Sequence, residues 1–349
     1  MAKISVILAS ARDDFSLIDL PTTHLFQPTV ESLQKQIFRD WELVVVDGLH
    51  SQRKGFFDGV GFPVKHLPPK NSPYLEKGYW AICDFLNTAV IHAEGELIVK
   101  IDDACEFSED YLQRIWDWHT VGAYPLSLVN YYRGGEVARY DELTRQYLET
   151  IARTGSPLLE GDPTRRMEIL DRMYKAGQAI EDSRLKLMKS EVVKAPWTWA
   201  YGYVAVPLDV ILDLNGWDES FDQSKSLDDV DFGLRVSLSG RERFVIDNML
   251  WAVENFHGPV SEKVVWNRGR PAKCNHSIMR LHQKSRIFRV NTREFTQEEL
   301  EFIRKETRRA PCSHVRGADY GTNETFDWWA SQVPEFDLKK MREEVCERA

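Results

Sequence analysis

The stretch Gly95-Glu96-Leu97-Ile98-Val99-Lys100-Ile101-Asp102-Asp103 decides the fold. Its apolar run is short and β-branched and stops at two acids, the pattern of a buried strand. Two runs of the same kind lie upstream, Ile4 to Ala9 and Trp41-Glu42-Leu43-Val44-Val45-Val46-Asp47-Gly48. Helical patterns fill the intervals, about residues 28–39 and 77–93. Strand thus alternates with helix over the opening third of the chain, which predicts an open α/β sheet with these strands parallel. Ligands of such sheets bind beyond the carboxyl ends of the strands. Asp47, Asp102 and Asp103 all stand at those ends. Hard oxygen ligands placed there suit Mg²⁺ or Mn²⁺ bound to a diphosphate.

A second stretch carries the chemistry. Gly216-Trp217-Asp218-Glu219 is a glycine turn, and Leu227-Asp228-Asp229-Val230-Asp231-Phe232-Gly233-Leu234-Arg235 is an acid-rich helix start. Asp231 and Arg235 are four apart and can pair along one helix face. Asp229 has no such cation four residues on. A carboxylate near a helix N-terminus, which stabilises its anion, is a candidate general base. An ordinary solvated acidic helix start has equal weight on this segment alone.

Taken in order and spacing, these pieces resemble a family 2 glycosyltransferase of the GT-A fold. The resemblance runs over residues 3–258. It is carried by Ile4 to Ala9, Glu31-Ser32-Leu33 through Gln36, Trp41 to Gly48, Asn87, Ala93 to Glu96, Ile101-Asp102-Asp103, Gly216 to Glu219 and Asp228 to Arg235. It implies a Rossmann-like mixed sheet flanked by helices. It also implies transfer of a sugar, usually with inversion, from a UDP- or GDP-type nucleotide-sugar to a glycan, lipid-linked or other acceptor. Carried onto this chain, Asp229 is the catalytic base. Asp47 contacts the base or ribose of the donor, beside Ala9, and Asp102 and Asp103 fall on the Asp-x-Asp metal motif. Asp103 and His257, the latter in Asn255-Phe256-His257-Gly258, are the implied metal ligands, for Mn²⁺ or Mg²⁺. Asp228 falls on the acceptor side.

The chain departs from that pattern at Ala104, where the family's last motif acid is replaced by a residue that cannot coordinate a metal. The Ala-Arg-Asn that often precedes the third strand is reduced to Asn87. Other basic groups are at hand. From Lys263 to Arg293 the chain carries repeated lysines and arginines and no acid. Gly269 and Pro271 make the first part a loop, so Arg268 and Arg270 are candidates for closing over a diphosphate leaving group. An ordinary solvated basic surface is the competing reading. Trp197 and Tyr201, in an aromatic run, are candidate acceptor-stacking residues, with Trp199 and Tyr203 read as core.

These readings divide the chain into a core over 1–258 and a basic loop with a helical extension over 259–349. The core carries a helical insertion at about 133–195. Within that insertion, Tyr140 to Arg153 reads as one helix and Pro163 to about Leu187 as another. In the extension, Thr296-Gln297-Glu298-Glu299 is a capping box opening a helix to about Arg308. A last amphipathic helix begins near Asp337, with Leu338, Met341 and Val345 on one face, and Phe326, Trp328 and Trp329 anchor the tail.

Composition sets bounds on function. At 349 residues and 43% hydrophobic, the chain can bury a large core. Its net charge of −9 argues against general nucleic-acid affinity. Five cysteines, without zinc-type spacing, argue against a disulfide framework. No apolar run approaches the roughly 18 residues of a membrane span. Met1-Ala2-Lys3 leads straight into the first strand, so a cytoplasmic location is expected. Two other readings stay open: a nucleotidyltransferase on a related fold, and a relative that binds nucleotide-sugar or glycan without turnover.

Overall fold

The computed structural model describes residues 2–10, 23–70, 72–76, 81–103, 105–122, 127–134, 178–181, 191–193, 204–222, 227–241, 243–254, 273–309 and 323–348. The three apolar runs form β1 (Ile4–Ser10), β2 (Trp41–Asp47) and β4 (Leu97–Ile101). With β3 (Val64–Leu67) they make a parallel half-sheet ordered β3-β2-β1-β4. The other half is mixed. β9 (Val204–Pro207) runs antiparallel to β4, and β6 (Ser127–Gly134) antiparallel to β9. β10 (Phe244–Glu254) is parallel to β6, and β5 (Cys105–Phe107) closes the order antiparallel to β10. Two short strands add to this path: β7 (Gln178–Glu181) on β6 and β8 (Glu191–Val193) on β10.

β1, β2 and β4 are largely apolar because both faces of the sheet are covered there. Ile4, Val6 and Leu8 of β1, with Leu97, Val99 and Ile101 of β4, pack on one side against α1 (Thr23–Gln34) and α4 (Tyr111–Thr120), through Val30, Leu33, Leu112 and Ile115. Ile7, Val44, Val46 and Ile98 pack on the other side. There they meet α3 (Ile82–His92), α5 (Leu208–Leu214) and α6 (Asp228–Leu238). By the alternation of strand side chains, Lys100 belongs with Ile98 on the α3–α6 side. A short helix, α2 (Pro73–Glu76), precedes α3.

The extension joins the α3–α6 core. α7 (Lys273–Ser285), α8 (Gln297–Arg309), α9 (Asn323–Ala330) and α10 (Leu338–Arg348) contribute Ile278, Ile303, Trp329 and Leu338 to it. The capping box forms as read. Thr296 Oγ1 accepts from the Glu299 N–H, and Glu299 Oε2 accepts from the Thr296 N–H. The final helix begins at Leu338, which is fully buried, and Met341 and Val345 lie against the core.

One helical expectation is corrected. The insertion's second helix does not run through to Leu187, because residues 178–181 are β7. Gln-Ala-Ile-Glu pairs antiparallel with β6, and that ladder satisfies its backbone in place of helical hydrogen bonds. The proposed helix over 140–153 and the start of the second lie outside the described residues, as do Trp197, Trp199, Tyr201 and Tyr203.

Candidate active site

At the carboxyl edge of the sheet, the end of β4 and the start of α6 are linked electrostatically. Asp102 follows β4 directly, and its Oδ1 accepts from Lys100 Nζ at 3.0 Å. Asp228 and Asp229 are half-buried in the first turn of α6. Both act electrostatically on Lys100, as does Asp102. Burial alone would lower the Lys100 ammonium; Asp102, Asp229 and Asp228 outweigh it and hold the group above its ordinary value. Burial, and then the adjacent Asp229 carboxylate, push Asp228 up to about 7, while Lys100 pulls it down. Asp229 Oδ1 accepts from the Val230 N–H at 2.7 Å. The residue before the helix, Leu227, sits in the left-handed region at φ 72°. Such a backbone costs a leucine roughly 1–3 kcal/mol and is found where surrounding structure fixes it.

The two acids after β4 part company. Asp102 faces Lys100, whereas Asp103 is buried, and its Oδ2 accepts from Ser10 Oγ at 2.8 Å. Thr29 Oγ1 of α1 accepts from the Cys105 N–H and reaches the Asp103 carbonyl, which stitches this turn to α1. Asp47 ends β2 as expected, with its carboxylate fully buried. Oδ1 accepts from Arg53 Nη1 (3.0 Å) and the Leu49 N–H (2.8 Å), and Oδ2 meets His66 Nε2 at 3.1 Å. As it stands Asp47 shapes the loop after β2 and presents no exposed oxygen. Ala9 is buried near the end of β1. Ala104, His257, Arg268 and Arg270 lie outside the described residues.

The Gly-Trp-Asp-Glu turn is an assembled scaffold. Gly216 has φ 81°, and a Cβ there would lie 2.2 Å from Asn87 Oδ1. That close approach lets Asn87 Oδ1 accept from the Trp217 N–H, while Asn87 Nδ2 donates to Trp217 O and Glu219 Oε1. Glu219 also pairs with Lys70. Asp222 accepts from the N–H groups of Cys83 and Asp84 at the start of α3. Burial, and then the Glu219 charge, raise Asp84 to about 8. The extension holds the turn from the far side. Asn215, left-handed at φ 60°, donates to Val290 O and Phe336 O and accepts from the Leu338 N–H. Asn291 Nδ2 donates to Trp217 O, Asn291 Oδ1 accepts from the Glu219 N–H, and Trp329 Nε1 donates to Ser220 O.

A buried charge network links that turn to α6. Asp231 accepts from Arg235 Nε at 2.6 Å, the i,i+4 pair read from the sequence. It also meets His282 Nδ1 of α7 at 2.7 Å, and His282 Nε2 lies 3.4 Å from Asp218. Burial would lower His282; Asp231 and then Asp218 outweigh it and raise it. The ligand atoms of Asp218, Asp231 and His282 lie within 4.8 Å of one another, compatible by distance with a divalent metal. The ring presents a different nitrogen to each carboxylate, and Arg235 occupies the other oxygen of Asp231. The imidazole therefore bridges two acids, one ring nitrogen to each, with Asp218 pushed up by burial and Asp231, against burial, held down by His282 and Arg235.

His282 is weakly marked in the sequence. Its sole signal is a helical phase shared with Ile278, four residues earlier. Lys100, a lone lysine inside β4, is a stronger signal, since buried lysines are nearly always paired. The basic run divides at α7. Arg280 pairs with Glu306, Arg289 with Asp337 and Arg293 with Glu299, so these three tie the extension together.

No family model matches the chain, and no curated protein matches it. Among solved structures it is similar to S. aureus TarS, with 12% identity and a TM-score of 0.48, over 88% of this chain and 43% of that one. A structure of TarS 1-349 in complex with UDP gives 13% identity and 0.47, over 88% of this chain and 71% of that one. GalNAc-T7 with UDP, GalNAc and Mn²⁺ gives 12% and 0.49, over 99% of this chain and 57% of that one. The chain thus spans about half the length of the first TarS chain and of GalNAc-T7. Likeness at this level fixes neither family nor activity. Among the described residues no helix is long and apolar enough to cross a membrane.

Proposed function

We propose that this chain is a GT-A-type glycosyltransferase, related to family 2, that transfers a sugar from a UDP- or GDP-type donor to an acceptor hydroxyl with inversion. One observation carries the reading. The acids at the start of α6 act across the carboxyl edge of the sheet on the Lys100–Asp102 pair at the end of β4. This brings a candidate base and a charged cluster to the edge where an α/β sheet binds nucleotides. Asp229 takes the proton of the acceptor hydroxyl as its oxygen attacks the anomeric carbon. The bond from that carbon to the diphosphate breaks, and the nucleoside diphosphate leaves with the electron pair. Asp228, raised toward neutrality, orients the acceptor beside it. A cation must meet the charge that develops on the leaving group.

In this reading Asp47 holds the donor-side loop through Arg53 and His66. Ala9 leaves room at the end of β1. His257, Arg268 and Arg270 remain proposed contributors to the diphosphate, and Trp197 and Tyr201 to the acceptor. A divalent ion, Mn²⁺ or Mg²⁺, would supply Lewis-acid stabilisation of the diphosphate if bound. Calorimetric titration with UDP, GDP and CDP, followed by a donor-hydrolysis assay with the matching nucleotide-sugar, tests the reading. Binding of one nucleotide, with Asp229-dependent turnover, supports it. Absence of binding by all three refutes it.

A further inference from the structure

The residues after β4 are poorly disposed to hold a metal. Asp102 is committed to Lys100. Asp103 faces the Ser10 hydroxyl and is buried there. Position 104 is an alanine and offers no side-chain donor. The one described trio with metal-compatible spacing, Asp218, Asp231 and His282, is bridged by the imidazole. A cation is nevertheless built into the site. Lys100 enters from β4, is 8% exposed, and donates from its ammonium to Asp102 at the strand end at 3.0 Å, with Asp228 and Asp229 of α6 acting on it electrostatically. A lysine is seldom buried unless paired, and this one is paired at the sheet edge where the diphosphate would lie.

Resting on the transfer reaction proposed above, we infer that the ammonium of Lys100 is the site's fixed cation, so that nucleoside diphosphate binds here without a divalent metal. The ammonium offers a donor and one positive charge where a metal would bring two, and Asp102 orients it.

The experiment is calorimetric titration of UDP, GDP and CDP into the full chain, in EDTA and in Mn²⁺, for the wild type, Lys100→Met, Lys100→Arg and Ala104→Asp. One nucleotide should bind the wild type in EDTA, with Mn²⁺ changing its Kd by less than about threefold. Lys100→Met should weaken binding in EDTA by about tenfold or more, the cost of losing a charged hydrogen-bonding partner, and Lys100→Arg should restore most of it. Ala104→Asp adds a hard oxygen and should make binding respond to Mn²⁺. The wild-type titration decides the matter even if Lys100→Met fails to fold. Binding by the wild type only with Mn²⁺ overturns this inference and leaves the transferase reading standing. Unchanged binding by folded Lys100→Met in EDTA also overturns it. No binding of any nucleotide under either condition overturns both.

Discussion

Replacing His282 with phenylalanine keeps a ring in the cavity and deletes the cation between Asp218 and Asp231. The wild-type contacts are 2.7 Å to Asp231 and 3.4 Å to Asp218, all three side chains being essentially buried. With an effective dielectric of about 20, each such contact is worth roughly 5–6 kcal/mol of Coulomb attraction. Taking each ion out of water costs several kcal/mol, so deleting one partner of the set should destabilise by about 3–5 kcal/mol. Most of that falls on Asp218, because Arg235 still pairs with Asp231. The pH dependence has a definite sign. His282 is raised above 6.5 in the folded chain, so its contribution is complete below 6.5 and is lost as pH rises through the folded value. Asp231 is lowered below 3.8, so its contribution fades only as pH falls below that range. The gap between wild type and His282→Phe in urea unfolding should therefore be widest from about pH 4 to 6.5 and narrow in alkali. A gap under about 1 kcal/mol, or one that widens with rising pH, refutes the bridging imidazolium. A wild-type midpoint that moves with Mn²⁺ and reverses with EDTA would assign the trio to a metal instead.

Three further outcomes follow from the same geometry. Asp229→Asn should lower turnover by at least about 10²-fold while calorimetry shows donor binding retained; transfer near the wild-type rate removes the base assignment. Gly216→Ala should cost about 3 kcal/mol or more in chemical denaturation, from the left-handed backbone and from displacing Asn87 and its buried hydrogen bonds; a cost below about 1 kcal/mol would mean that the turn relaxes freely. Asp84 is raised from 3.8 to about 8, so its contribution is complete below 3.8 and lost as pH rises toward 8. Asp84→Asn should flatten the decline of stability over that window, and an unchanged pH profile would refute a burial-raised Asp84.

Half of the sheet was legible because its signal is local. β1, β2 and β4 are apolar on both faces, so a continuous β-branched run marks each within a residue or two of its ends. Asp47, Asp102 and Asp103 were legible for the same reason: each lies where such a run stops. The remaining strands carry no comparable mark. β3 reads Val-Lys-His-Leu and β5 Cys-Glu-Phe, short and partly polar, and they exist because a neighbour offers a ladder. Helix edges slipped as well. The pattern placed the first helix over about 28–39, yet α1 spans Thr23–Gln34 and carries Pro28 within it.

The site was legible where its partners lie one helical turn apart and obscure where they do not. Asp231 and Arg235 show their pairing in the sequence itself. The other partner of Asp231 is His282, 51 residues away. Lys70 meets Glu219 across 149 residues, and Asn87 meets Trp217 across 130. No periodicity encodes such pairs, but charge accounting narrows them. A buried acid requires a cation or donors, and a lysine inside an apolar strand requires acids. Lys100, alone between Val99 and Ile101 and two residues from Asp102, states that need in the sequence. Its further answer, the Asp228–Asp229 pair, lies on a helix that the fold alone brings to β4. The proposed general base and the proposed fixed cation thus belong to one electrostatic unit. A substitution at Lys100 should accordingly move the pH profile of turnover as well as nucleotide affinity, which a lysine serving only to fill the strand would not do.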